Sequence, residues 1–411
     1  MDIVIGAGAT GLGYGLFSPN DYQIIESDSE IGGYCKTIKQ DGFVWDYSGH
    51  FFHFRLPEME KFICECIDSE TLLKCHKHTQ IKYKDRYIDF PFQKNIHQLG
   101  KQELIECLYD LFCNEYETYR NFQEMLYCKF GKGIAEKFLI PYNEKLYACN
   151  LNKLDTDAMG RFFPYADIKD IIANFRNSDS KSYNDHFTYP RGGAIEYIQS
   201  LKHRIPDNKV KLNEKVIAID IHRKIVKTTK EEIGYDNLIS TIPFPKLLQL
   251  CNIPYDPSIY SWNKVLVFNL GFDSKGADTR NNWVYFPDKG TSFYRIGYYD
   301  NIFQTNRMSL YVELGFDKDA DIDVEKWYET VIEDLKSSGI IDGQNVISRH
   351  HVIMDPAYVH ITKDSIENVK ALKQQLKNHH IYSIGRYGSW TYCSIEDGLI
   401  EAQSLSQNIN K

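Results

Sequence analysis

The chain has 411 residues, of which 43% are hydrophobic and 25% charged, with a formal net charge of −8 and a pI near 5.9. A chain of this length exceeds what one hydrophobic core usually supports, so we expect two or three domains. The acidic balance argues against nucleic acid as a general partner, and any anion-binding site must be local.

The sequence also argues against membrane and metal partners. No apolar run approaches the roughly 18 residues that span a bilayer, and the first predicted strand begins at Asp2, which leaves no room for a signal peptide. We therefore expect a cytoplasmic protein, with its ten scattered cysteines as reduced thiols. We predict no metal site, because the densest set of ligand types lacks a zinc spacing: Cys64, Cys66, Cys75, His76 and His78.

Residues 2–37 predict a dinucleotide-binding βαβ unit. An apolar run, Asp2–Ile5, precedes Gly6-Ala7-Gly8-Ala9-Thr10-Gly11, and Glu26 ends a second apolar run. In this pattern the first glycine permits a tight turn, the second lets backbone N–H groups approach a pyrophosphate, and the third allows close helix–strand packing. The acidic residue about 20 positions later accepts hydrogen bonds from a ribose. The predicted cofactor contacts in this unit are Gly6, Gly8, Ala9, Thr10, Gly11 and Glu26.

Gly32-Gly33 follows the acidic residue, and here the unit resembles the two-dinucleotide-binding flavoproteins. That resemblance implies FAD rather than free NAD as the cofactor, with Gly33 beside it. Near the C-terminus, the strand at Ile381–Arg386 and the helix from Asp397 resemble the elements that close an FAD domain. The cofactor contacts implied outside the N-terminal unit are Gly49, Val216, Gly385 and Arg386.

Six further motifs occur in the order seen in UDP-galactopyranose mutases: Asp46–His50, Asp89–Asn95, Pro141–Lys145, Trp283–Pro287, Phe293–Arg295 and Gly385–Tyr392. The chain resembles this family over nearly its whole length, and the eukaryotic-type members most. The resemblance implies interconversion of the pyranose and furanose forms of a nucleotide-diphosphate sugar, as polysaccharide biosynthesis from galactofuranose requires. It also implies that reduced FAD is the active form, its N5 atom holding the sugar covalently, with NAD(P)H as a candidate reductant.

The same resemblance assigns roles to individual residues. Arg161 and Arg295 would bind the diphosphate, with Tyr358 and Tyr392 as hydroxyl donors, and His50 would tune the flavin. The alternative for each arginine is a surface salt bridge, and for a lone histidine a place in the core.

Base and sugar recognition is assigned to aromatic residues beside amides. The alternative for each of them is a place in the core, and Asn184 fits a turn equally well. The substrate-binding candidates are Phe90, Phe92, Gln93, Phe138, Asn143, Tyr147, Asn184, Trp283 and Tyr285.

Three departures from the family pattern leave the sugar open between UDP-galactose and a related UDP- or TDP-sugar. Ser48 replaces a glycine, Tyr147 stands where tryptophan is common, and Ala357-Tyr358-Val359 lacks a proline. A competing class is an FAD oxidase or desaturase of the amine-oxidase type, and a third is a flavoprotein that only binds a nucleotide sugar. A homo-oligomer is compatible with all three.

We predict an α/β fold: a discontinuous Rossmann-like FAD-binding domain with an inserted helical domain and an antiparallel substrate-side β-sheet. Helix-forming segments such as Lys101–Cys113 and Glu115–Phe130 define the insertion, and alternating segments between Lys264 and Phe316 define the sheet. The predicted boundaries are residues 1–55, 185–245 and 345–411 for the FAD domain, 56–165 for the helical domain and 246–344 for the sheet.

Overall fold

The computed structural model describes residues 1–176 and 186–409, a range that leaves out Asn184. In chain order its strands are β1 (Asp2–Ile5), β2 (Tyr22–Ile25), β3 (Thr37–Gln40), β4 (Phe43–Asp46), β5 (Leu72–His76), β6 (Thr79–Tyr83), β7 (Arg86–Asp89), β8 (His186–Pro190), β9 (Val210–Lys211), β10 (Val216–Asp220), β11 (Ile225–Thr228), β12 (Glu232–Gly234), β13 (Asn237–Ser240), β14 (Asn263–Phe272), β15 (Trp283–Tyr285), β16 (Arg295–Tyr298), β17 (Ser309–Asp317), β18 (Val346–Met354) and β19 (Ile381–Ser383). The α-helices are α1 (Ala9–Phe17), α2 (Pro57–Cys64), α3 (Lys101–Phe112), α4 (Phe122–Ile134), α5 (Ile140–Tyr147), α6 (Ile168–Arg176), α7 (Ile195–His203), α8 (Phe244–Leu250), α9 (Tyr299–Phe303), α10 (Val324–Ser337), α11 (Lys363–Lys377), α12 (Gly385–Gly388) and α13 (Ile395–Asn408).

A parallel five-stranded sheet in the order β19-β13-β1-β2-β9 forms the predicted Rossmann-like layer. All four residues of β1 are buried, as expected of a parallel strand covered on both faces. Because β9, β13 and β19 lie far from β1 in sequence, this layer is assembled from separate segments. The predicted mixed α/β fold with a discontinuous dinucleotide domain is confirmed.

A seven-stranded sheet in the order β18-β14-β17-β16-β15-β6-β7 forms the second layer, and all but one of its strand pairs are antiparallel. It takes in strands from outside the predicted range of 246–344. β18 pairs with β14, so residues 346–354 belong to this sheet and not to the FAD domain. β6 joins the sheet through a parallel pairing with β15.

Residues 56–165 contain the predicted helices but are not helical throughout. The strands β5, β6 and β7 also lie in this interval. Alternating burial along β6, with Thr79, Ile81 and Tyr83 inward, is the period-two pattern of a half-buried strand. The helix predicted from Glu115 begins only at Phe122, because the Asn121 side chain caps it by accepting a hydrogen bond from the Glu124 backbone N–H at 2.9 Å.

The last helix begins earlier than predicted. Ser394 caps α13 by accepting from the Asp397 backbone N–H, and the Asp397 carboxylate accepts from the Ser394 backbone N–H in return. This reciprocal capping box sets the start of α13 at Ile395. Within the described residues, no helix combines the length and apolar character needed to cross a bilayer.

Candidate functional site

The glycines after β1 form an open cradle at the N-terminus of α1. Gly6 has a φ of 102°, and a Cβ on Gly11 would lie 2.0 Å from the Gly6 carbonyl oxygen. Around Gly8, the N-cap residue of α1, no atom of the described chain apart from its immediate neighbours lies within 4 Å of the position that a Cβ would take. A positive φ thus accounts for Gly6 and close packing for Gly11, whereas Gly8 leaves space at a helix N-terminus where a pyrophosphate fits.

Glu26 lies at the end of β2, beside this cradle. Its carboxylate accepts hydrogen bonds from the backbone N–H groups of Ala7 at 2.7 Å and Asp28 at 2.9 Å. A carboxylate has about four lone-pair sites, so it can accept further bonds from ribose hydroxyls. The Glu26 carbonyl accepts from the Glu214 N–H, which brings the start of β10, with Val216, to the same edge of the sheet.

A second glycine loop packs over the first. The Gly32 backbone N–H donates to the Ala7 carbonyl at 3.0 Å. Gly33, with a φ of 56°, is close enough that its Cβ would lie 3.7 Å from the Gly8 Cα. The two loops therefore define one continuous surface at the helix N-terminus.

A cavity of about 380 Å³ runs from this cradle to the face of the antiparallel sheet, within the range of about 300–1,000 Å³ typical of ligand pockets. We call it the cofactor cavity. The predicted cofactor residues on its wall are Gly8, Ala9, Thr10, Gly49, Gly385 and Arg386. Gly6, Gly11, Glu26, Gly33 and Val216 are not on the wall and lie around the N-terminal cradle instead.

Gly385 and Arg386 line the cofactor cavity beside the cradle, against the first turn of α1. Gly385 has a φ of 80°, and its Cβ would lie 2.9 Å from the Thr10 hydroxyl oxygen. Its backbone N–H donates to Glu401 at 2.7 Å. The Arg386 guanidinium lies over the rings of Tyr392 and Tyr358, 4.5 and 5.3 Å from their centroids.

His50 lies on the wall of the cofactor cavity. Its Nδ1 is 3.1 Å from the Ser48 carbonyl oxygen. Because a carbonyl only accepts, this contact assigns the proton to Nδ1 and leaves Nε2 as an acceptor. Burial lowers the pKa of His50 to about 4. A neutral imidazole at neutral pH fits the predicted tuning role better than general acid catalysis.

A second cavity of about 580 Å³, which we call the cleft, lies between the helical region and the antiparallel sheet. Aromatic side chains form much of its wall, and the Phe90 and Tyr285 ring centroids are 5.1 Å apart. The predicted substrate residues on this wall are Phe90, Phe138, Asn143, Trp283 and Tyr285. The Asn143 side-chain amide donates to the Leu139 carbonyl at 2.7 Å, while its buried Oδ1 has no hydrogen-bond partner among the described residues.

Three predicted substrate residues lie behind the wall of the cleft. Phe92 is fully buried and stacks on Phe138, with a centroid separation of 5.3 Å. Gln93 is also fully buried and donates to the Pro164 carbonyl. Tyr147, 1% exposed, packs with its ring centroid 5.9 Å from that of Tyr358. A place in the core fits these three residues better than substrate binding, because each packs between a wall residue and the interior.

The four residues predicted to bind the diphosphate lie where the two cavities meet. Arg161, Arg295, Tyr358 and Tyr392 each line both the cofactor cavity and the cleft. They come from four separate parts of the chain. An anionic group between the cavities would therefore be surrounded by two guanidinium groups and two phenol rings.

Arg295 is in a buried ion pair rather than on the surface. It lies opposite Glu313 in the register of β16 and β17. Its Nε and Nη2 atoms contact the two Glu313 oxygens at 2.7 and 2.9 Å. Glu313 is fully buried and also accepts from the Ser48 hydroxyl. The serine that departs from the family pattern thus helps to hold the acid that orients Arg295.

Arg161 is also in an ion pair, at the N-terminus of α13. Its Nη2 contacts the two Asp397 oxygens at 2.8 and 2.7 Å, and the guanidinium lies 4.4 Å from the Phe162 ring centroid. Its side chain is 31% exposed. Arg161 thus forms a salt bridge and also lies on the wall of both cavities.

Tyr358 and Tyr392 stack on each other, with centroids 5.9 Å apart and an angle of 15° between their planes. Burial raises the pKa of Tyr358, so its hydroxyl remains a donor at neutral pH. The two phenols can donate toward an anion from the same side.

The cleft wall is cationic although the chain is acidic. Lys77 and Lys94 add to Arg161 and Arg295, and the described residues of the wall include no aspartate or glutamate. Lys77 Nζ lies 4.9 and 5.4 Å from the ring centroids of Phe90 and Trp283. The cleft thus favours an anionic ligand with an aromatic or apolar part.

Several residues on the cleft wall were not predicted from the sequence. Tyr142, between the predicted Phe138 and Asn143, lies on the cleft wall and stacks on Phe138 with a centroid separation of 5.2 Å. Glu313 had one usable signal, since it is a lone acid inside the apolar strand β17. Lys77 lies outside every motif, whereas Lys94 is inside the Asp89–Asn95 motif but was not selected, because lysine is common throughout the chain.

All ten cysteines are free thiols. Among the described residues there is no group of three or more His, Cys, Asp or Glu side chains that could hold a metal ion.

Comparison with known proteins assigns the chain to a family. A model described as "flavin containing amine oxidoreductase" matches residues 18–339. The chain belongs to the flavin-containing amine oxidoreductase family. A flavin is therefore the cofactor expected in the cofactor cavity, and the open Gly8 cradle fits the pyrophosphate of FAD.

Solved structures of the same fold differ in activity. The chain is similar to a reduced UDP-galactopyranose mutase, with a TM-score of 0.92 and 24% identity over 100% of this chain and 93% of the other. It is also similar to a putative protoporphyrinogen oxidase from Exiguobacterium sp. 255-15 (TM-score 0.79, 16% identity, 99% and 98% coverage). For cyclohexylamine oxidase from Brevibacterium oxydans the TM-score is 0.71 and the identity 11%, with 99% and 98% coverage. The resemblance to the mutase fold predicted from the sequence is confirmed.

Proposed function

We propose that the protein is a flavin-dependent mutase that interconverts the pyranose and furanose forms of a nucleotide-diphosphate sugar. One observation carries the proposal: Arg161, Arg295, Tyr358 and Tyr392 lie on the wall shared by the cofactor cavity and the cleft. A diphosphate held there would have its sugar next to the cofactor and its nucleoside in the aromatic cleft. The similarity to UDP-galactopyranose mutase is consistent with this arrangement.

Bound reduced FAD would supply the nucleophile that displaces the diphosphate from the anomeric carbon. The chain itself would stabilise the charge that develops on the departing diphosphate. Arg295 is suited to this role because Glu313 fixes its guanidinium, so binding requires little reorganisation. Tyr358 and Tyr392, on the same two cavity walls as Arg295, would donate hydrogen bonds to the diphosphate, and the aromatic side chains of the wall would exclude water.

The aromatic end of the cleft would hold the base. Phe90, Tyr285 and Tyr142 offer ring faces for stacking, and the unpartnered Asn143 Oδ1 offers an acceptor. An acceptor here matches the N3–H donor of uracil or thymine, which supports a UDP- or TDP-sugar as substrate. We propose UDP-galactose or a related sugar, with NAD(P)H as candidate reductant and the cytoplasm as the compartment.

An amine-oxidase-type oxidation is the second candidate, and family membership favours it. The charge of the cleft disfavours an amine substrate. Most amines are cationic at neutral pH, and the described residues of the cleft wall offer a cation no carboxylate, because the nearby Asp397 and Glu313 are already paired with Arg161 and Arg295.

The test is to assay both reactions on one preparation. Dithionite-reduced protein is incubated anaerobically with a panel of UDP- and TDP-hexopyranoses, and the furanose forms are separated by anion-exchange chromatography. Oxidised protein is the matched control. The proposal predicts furanose product from the reduced protein only. Peroxide formation with an amine panel in air, without any furanose from the nucleotide sugars, would establish the oxidase instead.

A further inference from the structure

A third cavity, of about 890 Å³, lies at the β19 edge of the parallel sheet. We call it the edge groove. Its wall is formed by β19, the helices α11 and α13 and the loop at 155–160. Among the described residues, Tyr392 alone is shared by this wall and the walls of the cofactor cavity and the cleft. The edge groove is therefore a separate space, and its size is that of a ligand pocket.

Three lysines of α11 lie on the wall of the edge groove: Lys370, Lys373 and Lys377. Their spacing of three and four residues puts them on one face of the helix. Lys373 is half-buried, and its Nζ donates to the Ser389 hydroxyl at 3.0 Å and lies 3.7 Å from a Glu401 oxygen. The helix dipole accounts for a lysine in the last turn, such as Lys377, but its effect does not extend to all three. Three cations on one cavity wall favour an anionic group there.

Trp390 adds a buried donor to the same wall. Its side chain is 4% exposed, and its Nε1 has no hydrogen-bond partner among the described residues. An indole N–H only donates, and an unpaired donor in the interior is unfavourable. An acceptor that the described chain does not supply, such as a ligand oxygen or a water held by the ligand, would satisfy it.

Carboxylates lie at the other end of α11. The Asp155 backbone N–H donates to the Ile361 carbonyl at 2.7 Å, which holds the loop at 155–160 beside the N-terminus of this helix. Asp155 and Asp157 are both on the groove wall. The helix begins at Lys363, so Lys373 lies about 15 Å farther along its axis. The groove therefore has aspartates, which accept hydrogen bonds from hydroxyl groups, at one end and lysines toward the other.

We propose that the edge groove binds a phosphorylated sugar, with its phosphate on the three lysines of α11 and its hydroxyl groups toward Asp155 and Asp157. A phosphate group carries about −1.5 to −2 charges and three strong acceptor oxygens at pH 7, which suits three ammonium groups on one helix face. A neutral sugar would leave these cations without an anion, and a polyanion would meet the two aspartates. The site is separate from the cleft, so its occupation does not depend on the mutase proposal.

Calorimetric titration of the flavin-loaded protein tests the proposal with three probes: inorganic phosphate, glucose 6-phosphate and glucose. We expect saturable binding of both phosphates and none of glucose. Glucose 6-phosphate should bind at least about tenfold more tightly than inorganic phosphate, because its hydroxyl groups add hydrogen bonds to the aspartates.

Two lysine variants assign this binding to the edge groove. Lys370→Gln and Lys377→Gln should each weaken the binding of glucose 6-phosphate about tenfold, because each removes one charge-assisted hydrogen bond. Lys363→Gln is the matched control, since Lys363 is on the same helix but not on the groove wall.

Lys373 is left in place in these variants because of its neighbours. It contacts Ser389 and Glu401, and Glu401 also accepts from the Gly385 backbone N–H beside the cofactor cavity. Flavin content reports correct folding of each variant. Arg295→Lys is titrated in parallel, since the cationic cleft is the other place where a phosphate could bind. Its affinity for glucose 6-phosphate should equal that of the wild type.

Four results would each overturn the proposal. The first is no saturable binding of either phosphate. The second is equal weakening by Lys363→Gln and Lys377→Gln. The third is loss of binding in Arg295→Lys, which would place the phosphate in the cleft. The fourth is equal affinity for inorganic phosphate and glucose 6-phosphate, which would exclude recognition of a sugar.

Discussion

Arg295 and Glu313 lie opposite each other on β16 and β17 and form a two-point ion pair, with contacts of 2.7 and 2.9 Å. The Arg295 side chain is 17% exposed toward the cavities, while Glu313 is fully buried. The carboxylate is therefore on the protein side of the guanidinium, and the ligand side remains accessible. This pair links the stability of the sheet to the proposed binding of diphosphate.

Arg295→Ala should destabilise the fold, because it leaves the buried Glu313 carboxylate without its cation. We expect the free energy of unfolding to fall by about 3–5 kcal/mol, as for other broken buried pairs. Urea denaturation of the flavin-loaded protein measures it. Adding Glu313→Gln to Arg295→Ala removes the unpaired charge and should restore most of the loss. If Arg295→Ala alone is as stable as the wild type, the ion pair with Glu313 does not stabilise the fold.

Arg295→Lys separates binding from stability. Lysine keeps the charge next to Glu313 but cannot offer a planar fork, so one charge-assisted hydrogen bond of about 1.5–3 kcal/mol is lost. We expect kcat/KM for the proposed isomerisation to fall about 10- to 100-fold, with little change in unfolding. Arg349→Lys is a suitable control, because Arg349, on the edge strand β18, forms an exposed ion pair with Glu325 of α10. Equal activity in the two lysine variants would remove Arg295 from the diphosphate site.

Gly8→Ala should impair flavin binding, whereas Gly11→Ala should impair stability. A Cβ at residue 8 meets no protein atom within 4 Å, whereas one at residue 11 would lie 2.0 Å from the Gly6 carbonyl oxygen. Gly8→Ala should therefore fold but bind less flavin, and Gly11→Ala should lower the stability of the apoprotein. The flavin-to-protein absorbance ratio and thermal unfolding of the apoprotein measure the two effects. Normal flavin content in Gly8→Ala would mean that the pyrophosphate lies elsewhere.

Asp46→Asn should change the pH dependence of stability. Burial raises the pKa of Asp46 to about 7, although its carboxylate accepts from Thr37, Tyr189 and the Ala194 N–H. Between pH 4 and 7 the folded state then holds a proton that the unfolded state has lost, so this group's contribution to stability falls as pH rises. Asparagine stays neutral, so the stability of the variant relative to the wild type should increase as the pH rises from 4 to 7. Urea denaturation at several pH values measures the difference, and a constant difference would contradict the raised pKa.

Local motifs in the sequence predicted the cofactor site better than the substrate site. The turn at Gly6–Gly11 and the closing Gly385 are set by backbone conformation within a few residues, which a sequence displays directly. The parallel pairing of β6 with β15 joins segments about 200 residues apart, and no local pattern encodes it. Burial of Phe92 and Gln93 depends on such long-range packing, as does the pairing of Arg295 with Glu313. Asn184 lies outside the described residues, so its role remains a sequence prediction.

The proposed mutase reaction takes place at a reduced flavin without net electron transfer. The most direct measurement follows furanose formation and the flavin absorbance together, under anaerobic conditions, with a small amount of reduced protein and excess nucleotide sugar. We predict many turnovers per protein while the flavin spectrum stays reduced, and no turnover by the oxidised protein. Reoxidation of the flavin in proportion to substrate consumed would indicate an oxidoreductase. Equal isomerisation by the oxidised protein would exclude a reaction through the reduced flavin.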